Sequence, residues 1–462
     1  MVLQTTDTIA AIATPLGIGG IGIIRVSGPR ALPIFRILFR PHRQHQTLQS
    51  HTLYYGTVHD RNDTVLDEVL AAYMQAPNTY TREDVVEFQS HGSYLVLTTI
   101  LAEILRHGAR PADPGEFTKR AFLAGRIDLT RAEAVIELLQ AKTSTGVQLA
   151  VGQMQGQLFQ HIEEIRQSLV GVLAILEVAI DFPDDDVELL DSEQILKKLH
   201  HEVKKPLTRL IAMADQGKII REGINIVIAG LPNVGKSSLL NALLQEERAL
   251  VTPEPGTTRD TIEEIISIKG IPARIVDTAG IREDASSVEE LGIQRARQKV
   301  READLVLFLV DASVPLTRQD LDLYTSLGEV DRVVALNKID IADQDSLAAQ
   351  ESAFTDVEIV KISARDHDGL TNLQDVIYHN IMGEGASLKE RESCAPNVRH
   401  LAILEETLSA CQRINAELAG GVTADLVAVE VQSALDFLGD IVGLTTTDDV
   451  LDKIFAEFCI GK

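Results

Sequence analysis

Residues 230–237 read GLPNVGKS, and this stretch decides the fold of the middle of the chain. It fits the pattern G-x-x-x-x-G-K-[S/T], in which glycines let backbone N–H groups converge on phosphate oxygens. The run INIVIA at 224–229 predicts a strand before it, and SLLNALL at 238–244 predicts a helix after it. A helix N-terminus adds its positive dipole end, so the loop predicts a phosphate site. We expect Lys236 to neutralise β/γ-phosphate charge and Ser237 to ligate Mg²⁺.

Two later segments supply the phosphate side of such a site. Residues 277–280 read DTAG and end a predicted strand, where Asp277 can hold Mg²⁺ through water and the Gly280 N–H can sense the γ-phosphate. Residues 255–260 read PGTTRD, and Thr258 is the natural second magnesium hydroxyl.

Two further segments supply the base side. Residues 337–340 read NKID, whose carboxylate at Asp340 can accept from the ring N–H and amino group of guanine, while the stem of Lys338 covers the base. Ser363 and Ala364 end another predicted strand and can support the base through backbone N–H groups. Since the carboxyl ends of parallel strands meet at one edge of a sheet, the four segments together predict a guanine-nucleotide switch.

The catalytic residue is not given by these motifs. Many GTPases place a glutamine directly after D-x-x-G to orient the attacking water, but this chain has Ile281 there. Another group must then assist hydrolysis, and the alternatives are Glu289, Glu290, Arg282 or a bound cation. The residues alone do not decide among these four.

The chain is predicted to be a multidomain α/β protein. Short β-branched runs alternate with helical stretches over residues 221–383, which is typical of a mainly parallel sheet with crossover helices. Residues 1–118 read as a strand-rich domain, whereas 119–220 and 384–462 read as helical. The simplest architecture inserts the α/β domain into a helical domain, so that helices before and after the insert pack together.

Charge and cysteine content narrow the function. The formal net charge is −25, residues 222–462 carry 21 of the excess negative charges, and aromatic residues make up only 4%. An acidic surface repels phosphate backbones, which argues against a free-standing, non-specific nucleic-acid binder. The three cysteines form no C-x-x-C pair, and no apolar window of membrane-spanning length exists, so we expect a cytoplasmic protein without a membrane contact.

Taken together, the chain resembles the tRNA-modification GTPase family MnmE, also called TrmE. The resemblance covers the whole chain and rests on the nucleotide motifs, on GTTRD at 256–260, on PGEFTKRAFLAGR at 114–126 and on the terminal FCIGK at 458–462. The terminal motif is highly specific, whereas the nucleotide motifs are shared with Era- and Der-like ribosome-assembly GTPases. That alternative expects a KH-like G-x-x-G module or a basic extension, and residues 384–462 carry a net charge of −8 and show neither.

The resemblance implies an α+β, folate-binding-like N-terminal domain that dimerises, a helical bundle and an inserted Ras-like P-loop GTPase domain. It also implies a flavin-dependent partner, MnmG (GidA), in a heterotetramer, with tRNA bound largely through the partner. Together they would place a carboxymethylaminomethyl or aminomethyl group on carbon five of the wobble uridine of certain tRNAs. The implied cofactors are Mg²⁺, K⁺ and a tetrahydrofolate derivative, either 5-formyltetrahydrofolate or 5,10-methylenetetrahydrofolate.

The resemblance further implies a folate pocket formed by Arg25, Glu87, Arg126 and the terminal Lys462. The two arginines can engage polar or anionic folate groups, and Glu87 can accept from pterin N–H groups. Ordinary surface salt bridges are the alternative. Cys459 would lie near this pocket, and its chemical role is left open.

For the nucleotide site, the resemblance implies potassium ligands at Asn233, Thr252, Glu254 and Thr257 and a water-orienting carboxylate at Glu289. A monovalent cation near the β/γ-phosphates would act electrostatically like an arginine finger. With Lys236 and Glu289 as catalytic residues, the complete predicted set of nucleotide contacts is Asn233, Val234, Gly235, Lys236, Ser237, Ser238, Thr252, Pro253, Glu254, Pro255, Gly256, Thr257, Thr258, Asp277, Thr278, Ala279, Gly280, Asn337, Lys338, Asp340, Ser363, Ala364 and Arg365.

One motif matches a nucleotide-binding pattern only formally. Residues 17–22 read GIGGIG and formally match the dinucleotide pattern G-x-G-x-x-G. The following IIRV at 23–26 predicts a strand rather than a helix, so we interpret the motif as a tight turn between strands.

Overall fold

A computed structural model describes residues 7–15, 17–43, 48–182, 192–246, 264–277, 298–383 and 394–462. The chain divides into two compact units. The first comprises residues 1–136, 154–204 and 406–462, and the second comprises residues 137–153 and 205–405.

The N-terminal part of the first unit is a seven-stranded sheet with the order β3-β4-β5-β6-β2-β1-β7. All neighbours are antiparallel except β1 and β7, which are parallel. The strands are β1 (Ile9–Ile12), β2 (Gly19–Ser27), β3 (Phe39–Pro41), β4 (Thr52–His59), β5 (Val65–Met74), β6 (Val85–Gly92) and β7 (Arg110–Pro111).

The turn between β1 and β2 settles the meaning of the GIGGIG motif. The strand β2 begins at Gly19 and continues to Ser27, where a dinucleotide site would require a helix. The rejection of a dinucleotide site is therefore confirmed, whereas the interpretation of the whole motif as a tight turn is wrong, because residues 19–22 already belong to β2.

Two helices, α1 (Ala31–Leu38) and α2 (Tyr94–Arg106), contribute apolar side chains to the core of this sheet. Phe35 of α1 stacks on Phe88 of β6 with ring centroids 5.9 Å apart, and Ile100 of α2 is fully buried in the same cluster. The apolar alternation along the strands thus supplies the sheet side of the core.

The remaining helices of the first unit form a bundle. Its long helix, α6 (Gln157–Asp181), buries an apolar stripe from Leu158 to Leu176 and packs against α14 (Ala424–Val442). Helices before and after the insert therefore do pack together, as expected. The other elements are α3 (Glu116–Leu123), α7 (Ser192–Lys198), a π-helical turn (Leu199–Lys204) and α15 (Asp448–Ala456). Two helices, α4 (Leu129–Gln140) and α13 (Val398–Ala419), contribute residues to both units.

The second unit is built on a six-stranded sheet with the order β13-β12-β11-β8-β10-β9. The strands are β8 (Ile224–Ala229), β9 (Glu264–Ile268), β10 (Ile271–Asp277), β11 (Leu305–Asp311), β12 (Arg332–Asn337) and β13 (Glu358–Lys361). The sheet is mainly parallel, as predicted: β8, β10, β11, β12 and β13 run parallel, and β9 is an antiparallel edge strand.

The described residues of this unit include six helices, and two apolar clusters that share the strands of the sheet form its core. They are α5 (Ser144–Met154), α8 (Lys205–Glu222), α9 (Lys236–Glu246), α10 (Arg318–Ser326), α11 (Gln344–Ala353) and α12 (Leu370–Met382). Among the described residues, no helix of either unit is long and apolar enough to cross a membrane.

Candidate functional site

The phosphate loop connects β8 to α9, and its backbone conformation requires its glycines. Gly230 has a φ of +150°, and a Cβ there would lie 2.4 Å from the carbonyl oxygen of Leu309. Gly235 has a φ of +102°, a region that side chains rarely adopt. Asn233 also lies in the left-handed region, at a φ of +65°. The loop therefore holds three positions with positive φ, a conformation that most residues rarely adopt.

Lys236 lies at the first position of α9 and is only 8% exposed. Its Nζ donates to the carbonyl oxygens of Gly230 and Leu231, both at 2.8 Å. The loop thus curls around the ammonium group, which places a fixed positive charge inside the cradle. Ser237 and Ser238 follow in the exposed first turn of the helix, where the positive end of the helix dipole favours anions.

Asn337 ties the phosphate loop to the base side of the site. Its side chain is 2% exposed, its Nδ2 donates to the carbonyl oxygen of Val234 at 2.8 Å, and its Oδ1 accepts from the Ala364 N–H at 3.0 Å. A Cβ at Gly235 would lie 2.2 Å from that Nδ2. Asn337 was predicted as a nucleotide contact, and the structure shows that its side-chain contacts are to the two loops that surround the site.

Lys338 follows in a left-handed conformation, with a φ of +66°. Its Nζ donates to the carbonyl oxygen of Asn233 at 2.9 Å and forms an ion pair with Asp311. Asp340 accepts from the Ser363 hydroxyl at 2.8 Å. The predicted base-side residues therefore meet at one edge of the sheet, beside the phosphate loop.

The loop after β13 completes the base side of the site. The Ser363 N–H donates to the carbonyl oxygen of Asp368 at 2.9 Å, and the Ser363 hydroxyl accepts from the Asp366 N–H at 3.2 Å. Ala364 is buried and Arg365 is exposed. This turn holds the backbone of residues 363–365 in place next to Asp340.

Sequence reasoning missed Asp311. Burial raises the pKa of its carboxyl group, but hydrogen bonds from Lys338 and Ser313 outweigh burial and hold the pKa below its ordinary value. The signal was present in the sequence, because an aspartate directly follows the buried run of β11, but no motif singled it out.

Several predicted nucleotide and metal contacts lie outside the described residues, as does the side chain of Asp277, whose backbone ends β10. They are Thr252, Pro253, Glu254, Pro255, Gly256, Thr257, Thr258, Thr278, Ala279, Gly280 and Glu289. The magnesium and potassium assignments therefore stay predictions. The described part fits a guanine nucleotide with Mg²⁺, since a glycine-shaped cradle, a buried lysine and an exposed Ser237 hydroxyl converge at one helix N-terminus.

Two of the predicted folate residues contact each other in the first unit. Arg25 on β2 lies opposite Glu87 on β6 in the strand register, and Arg25 Nε donates to Glu87 Oε1 at 2.8 Å. The guanidinium carbon of Arg25 lies 5.7 Å from the centroid of the Phe117 ring. Both charged side chains are about one-fifth exposed, so the pair keeps an accessible side.

The C-terminal tail lies against this pair. Arg25 donates to the carbonyl oxygen of Gly461 at 3.4 Å, and the Phe117 N–H donates to the carbonyl oxygen of Lys462 at 3.2 Å. Gly461 is buried at a φ of +94°, and a Cβ there would lie 2.6 Å from the carbonyl oxygen of Ile12. The terminal Lys462 is therefore held beside Arg25, while Cys459 remains exposed.

Arg126 lies on a neighbouring surface. Its guanidinium carbon is 4.9 Å from the centroid of the Tyr80 ring, and the Tyr80 hydroxyl forms a 3.0 Å hydrogen bond with that of Thr118. Arg126 lines a cavity of about 670 Å³ with His51, Met74, Pro77, Asn78, Thr79, Tyr80 and Arg82. Arg25 and Glu87 do not line this cavity. The structure joins these two predicted residues directly, Lys462 through its neighbour Gly461 and through Phe117, and Arg126 only through Tyr80 and α3.

Arg120 was also missed, and it anchors α3 between these surfaces. It is 4% exposed and pairs with Asp7 at 2.9 Å, Glu83 at 3.0 Å and Glu116 at 2.8 Å. Burial raises the pKa of Glu116, but hydrogen bonds from Arg110, the Asp113 N–H and Arg120 outweigh burial and lower it overall. The network is internally paired, so its role is to hold the helix that carries Phe117 and Thr118.

The fold and the site define the second unit as a P-loop GTPase domain, because the phosphate cradle and the base-side residues meet at the carboxyl edge of a parallel sheet. Two family descriptions match the chain: "GTP-binding protein TrmE N-terminus" over residues 8–126 and "MnmE helical domain" over residues 129–459. The chain belongs to the MnmE family of tRNA modification GTPases.

Full-length relatives agree with this assignment. A protein of Desulfotalea psychrophila named tRNA modification GTPase MnmE is 52% identical over 99% of this chain and 98% of its own length. Namesakes from Geotalea uraniireducens and Acetivibrio thermocellus are 44% and 42% identical, over 100% and 99% of both chains. A crystal structure of Aquifex aeolicus Era is 29% identical, covers 40% of this chain and 66% of its own, and has a TM-score of 0.29, too low to support an Era-like assignment.

Proposed function

We propose that this GTPase works with a flavin-dependent partner, MnmG, to place a carboxymethylaminomethyl or aminomethyl group on carbon five of the wobble uridine of certain tRNAs. The proposal is carried by one observation: the phosphate loop and the base-side residues meet at one sheet edge in a chain that matches tRNA modification GTPases over nearly its whole length. The test is reconstitution of tRNA modification with this chain, the partner, GTP and a one-carbon donor. A Lys236→Ala variant is the matched negative control, since it removes the charge at the centre of the phosphate loop.

Potassium is the proposed catalytic cation, with ligands at Asn233, Thr252, Glu254 and Thr257 and with Glu289 orienting the attacking water. Of these, the structure describes only Asn233, whose left-handed backbone and exposed side chain suit a ligand at the loop surface. The GTP hydrolysis rate should be higher in KCl than in NaCl at equal ionic strength. Glu289→Ala should lower turnover by orders of magnitude and leave GTP affinity nearly unchanged. Equal rates in the two salts would remove potassium from the mechanism.

A tetrahydrofolate derivative is the proposed one-carbon donor, bound near Arg25 and the tail. The donor set suits a folate, because the cationic Arg25 lies over the Phe117 ring and pairs with the acceptor Glu87. The tail that carries Lys462 contacts Arg25 through Gly461. Calorimetry with 5-formyltetrahydrofolate should show binding that Arg25→Ala abolishes. Arg40→Ala is the control, because Arg40 lies on β3 and donates to carbonyl oxygens of α1 and of its own strand.

A homodimer, and a heterotetramer with the partner, are proposed as the working assembly. The acidic charge of residues 222–462 supports a division of labour in which the partner supplies most of the RNA-binding surface. Tight tRNA binding by this chain alone at physiological salt would contradict that division. Co-sedimentation with a ribosomal subunit that requires GTP would instead favour a ribosome-assembly switch.

A further inference from the structure

Asp311 lies where the strand β11 reaches the nucleotide edge of the sheet. It pairs in register with Asn337, the last residue of β12, and the Ala312 N–H donates to the carbonyl oxygen of Asn337 at 2.8 Å. The carboxylate of Asp311 therefore lies beside the base-recognition segment without belonging to any of the nucleotide motifs.

The two carboxylate oxygens of Asp311 have different partners. Oδ1 accepts from the Ser313 N–H at 3.0 Å and from the Ser313 hydroxyl at 2.6 Å, while Oδ2 contacts the Nζ of Lys338. Ser313 thus fixes the rotation of the carboxylate, and the second oxygen is left to face the ammonium group. A charge-assisted hydrogen bond of this kind is about twice as strong as a neutral one.

Lys338 connects Asp311 to the phosphate loop. The same Nζ that contacts Asp311 donates to the carbonyl oxygen of Asn233 at 2.9 Å. Asn233 adopts a left-handed backbone, so a donor on its carbonyl helps to hold the loop in an uncommon conformation. One lysine therefore connects a fixed carboxylate on one side to the phosphate loop on the other.

The backbone that carries Asp311 is itself rigidly held. Gln350 of α11 is 1% exposed, and its Nε2 donates to the carbonyl oxygens of Asp311 at 3.1 Å and Val314 at 2.8 Å. The Ser346 hydroxyl donates to the carbonyl oxygen of Ala312 at 3.2 Å. A buried amide thus locks the turn in which Asp311 and Ser313 lie.

We propose that Asp311 is a positioning residue for nucleotide binding, which orients Lys338 so that its stem covers the guanine base and its ammonium group holds the phosphate loop at Asn233. The inference rests on the proposed nucleotide-binding role of Lys338. Asp311 touches no part of the nucleotide itself, and its effect passes through Lys338.

The test compares nucleotide release from the full chain carrying Asp311→Asn with release from the wild type and from Asp304→Asn. Asp304 precedes the same strand at its opposite end and accepts from the Asn225 N–H at 2.7 Å, so it is the matched aspartate away from the site. We expect Asp311→Asn to release fluorescent GDP and GTP analogues about tenfold faster, because a charge-assisted contact is lost. Asp304→Asn should stay within about twofold of the wild type.

A double-mutant cycle separates positioning from general destabilisation. Lys338→Met keeps the apolar stem but removes the ammonium group, so Asp311→Asn should add no further effect in that background. An equal further acceleration in both backgrounds, or a lowered melting temperature with unchanged release, would overturn the proposal. If Asp311→Asn does not fold, Asp311→Ser carries the same prediction, since a serine is too short to reach Lys338. Failure of the wild type to bind guanine nucleotides would contradict the nucleotide site itself and is measured first.

Discussion

Replacing Asn337 with alanine tests how the nucleotide site is held together. The side chain is 2% exposed and makes two hydrogen bonds, to the Val234 carbonyl at 2.8 Å and from the Ala364 N–H at 3.0 Å. An alanine leaves both backbone groups without these partners, and it leaves the phosphate loop and the base-side loop without their shared anchor.

The free-energy cost of Asn337→Ala follows from the two hydrogen bonds that are lost. Leaving one buried polar group unsatisfied costs about 1–3 kcal/mol, so two such groups cost about 2–6 kcal/mol before the site relaxes. Water reaching the rim of the site recovers part of this, which leaves about 2–4 kcal/mol. Because both freed loops surround the nucleotide, we expect roughly 2–3 kcal/mol of the loss to appear in binding, or about 30- to 150-fold in Kd.

Titration of a fluorescent GDP analogue measures the Kd, and circular dichroism melts measure stability in parallel. Asn380→Ala is the matched control, since the Asn380 amide is exposed on α12 and donates to Glu358 and to the Val376 carbonyl. Its Kd should match that of the wild type. A change of less than about threefold for Asn337→Ala would refute the reasoning that this side chain organises the site.

Three further predictions concern the first unit and the thiols. Gly461→Ala should detach the C-terminal tail, at a cost of roughly 1–3 kcal/mol, and speed its digestion by carboxypeptidase, whereas Gly421→Ala, with a similar left-handed φ of +69° but open space around it, should not. Glu116→Gln should destabilise the protein by about 2 kcal/mol at pH 7. The pKa of Glu116 is lowered on folding, so its stabilisation is fully present above the unfolded value of 4.5 and is lost as the pH falls from there through the lower pKa of the folded state. The melting temperatures of the two proteins should therefore approach one another as the pH falls below 4.5. A thiol reagent at pH 8 should label only the exposed cysteine of the native chain, because burial raises the pKa of the other two thiols to about 12 and about 11; labelling of more than one native thiol would contradict this. The exposed cysteine is Cys459, and the buried ones are Cys394 and Cys411.

The placement of the described nucleotide segments was predictable, because those at 230–237, 337–340 and 363–364 each lie at or directly after the end of a strand. The strand β8 has the predicted bounds, and the parallel register of β8, β11 and β12 brings the loops at 230–235 and 337–340 together. The local sequence pattern was sufficient to predict the class of this sheet, since β-branched runs alternate with helical stretches in this unit.

The contacts among these residues were not predictable. Asn337 was expected to face the nucleotide, yet its side chain joins Val234 to Ala364. Asp311 has no motif of its own and acquires its role only from the register of β11 against β12. Sequence spacing places residues at the same sheet edge, but tertiary packing decides which polar groups satisfy one another.

In the N-terminal sheet, sequence patterns failed to predict whole elements as well as individual contacts. The strand β6 and the helix α1 were not predicted, because their apolar residues do not form a long periodic pattern. The contact of Arg25 with Gly461 joins residues 436 positions apart in the sequence. Only the family resemblance of the motif at 458–462 placed this tail near Arg25. The pairing of Arg25 with Glu87 follows from strand register, which was not assigned from the sequence.

The most direct test of the central claim is nucleoside analysis of tRNA from cells that lack this protein, with and without complementation. The wild-type chain should restore a carboxymethylaminomethyl or aminomethyl group at carbon five of wobble uridine, and Lys236→Ala should not, because the phosphate loop then has no ammonium group at its centre. Unaltered wobble uridines in the deletion strain, or full restoration by Lys236→Ala, would contradict the account.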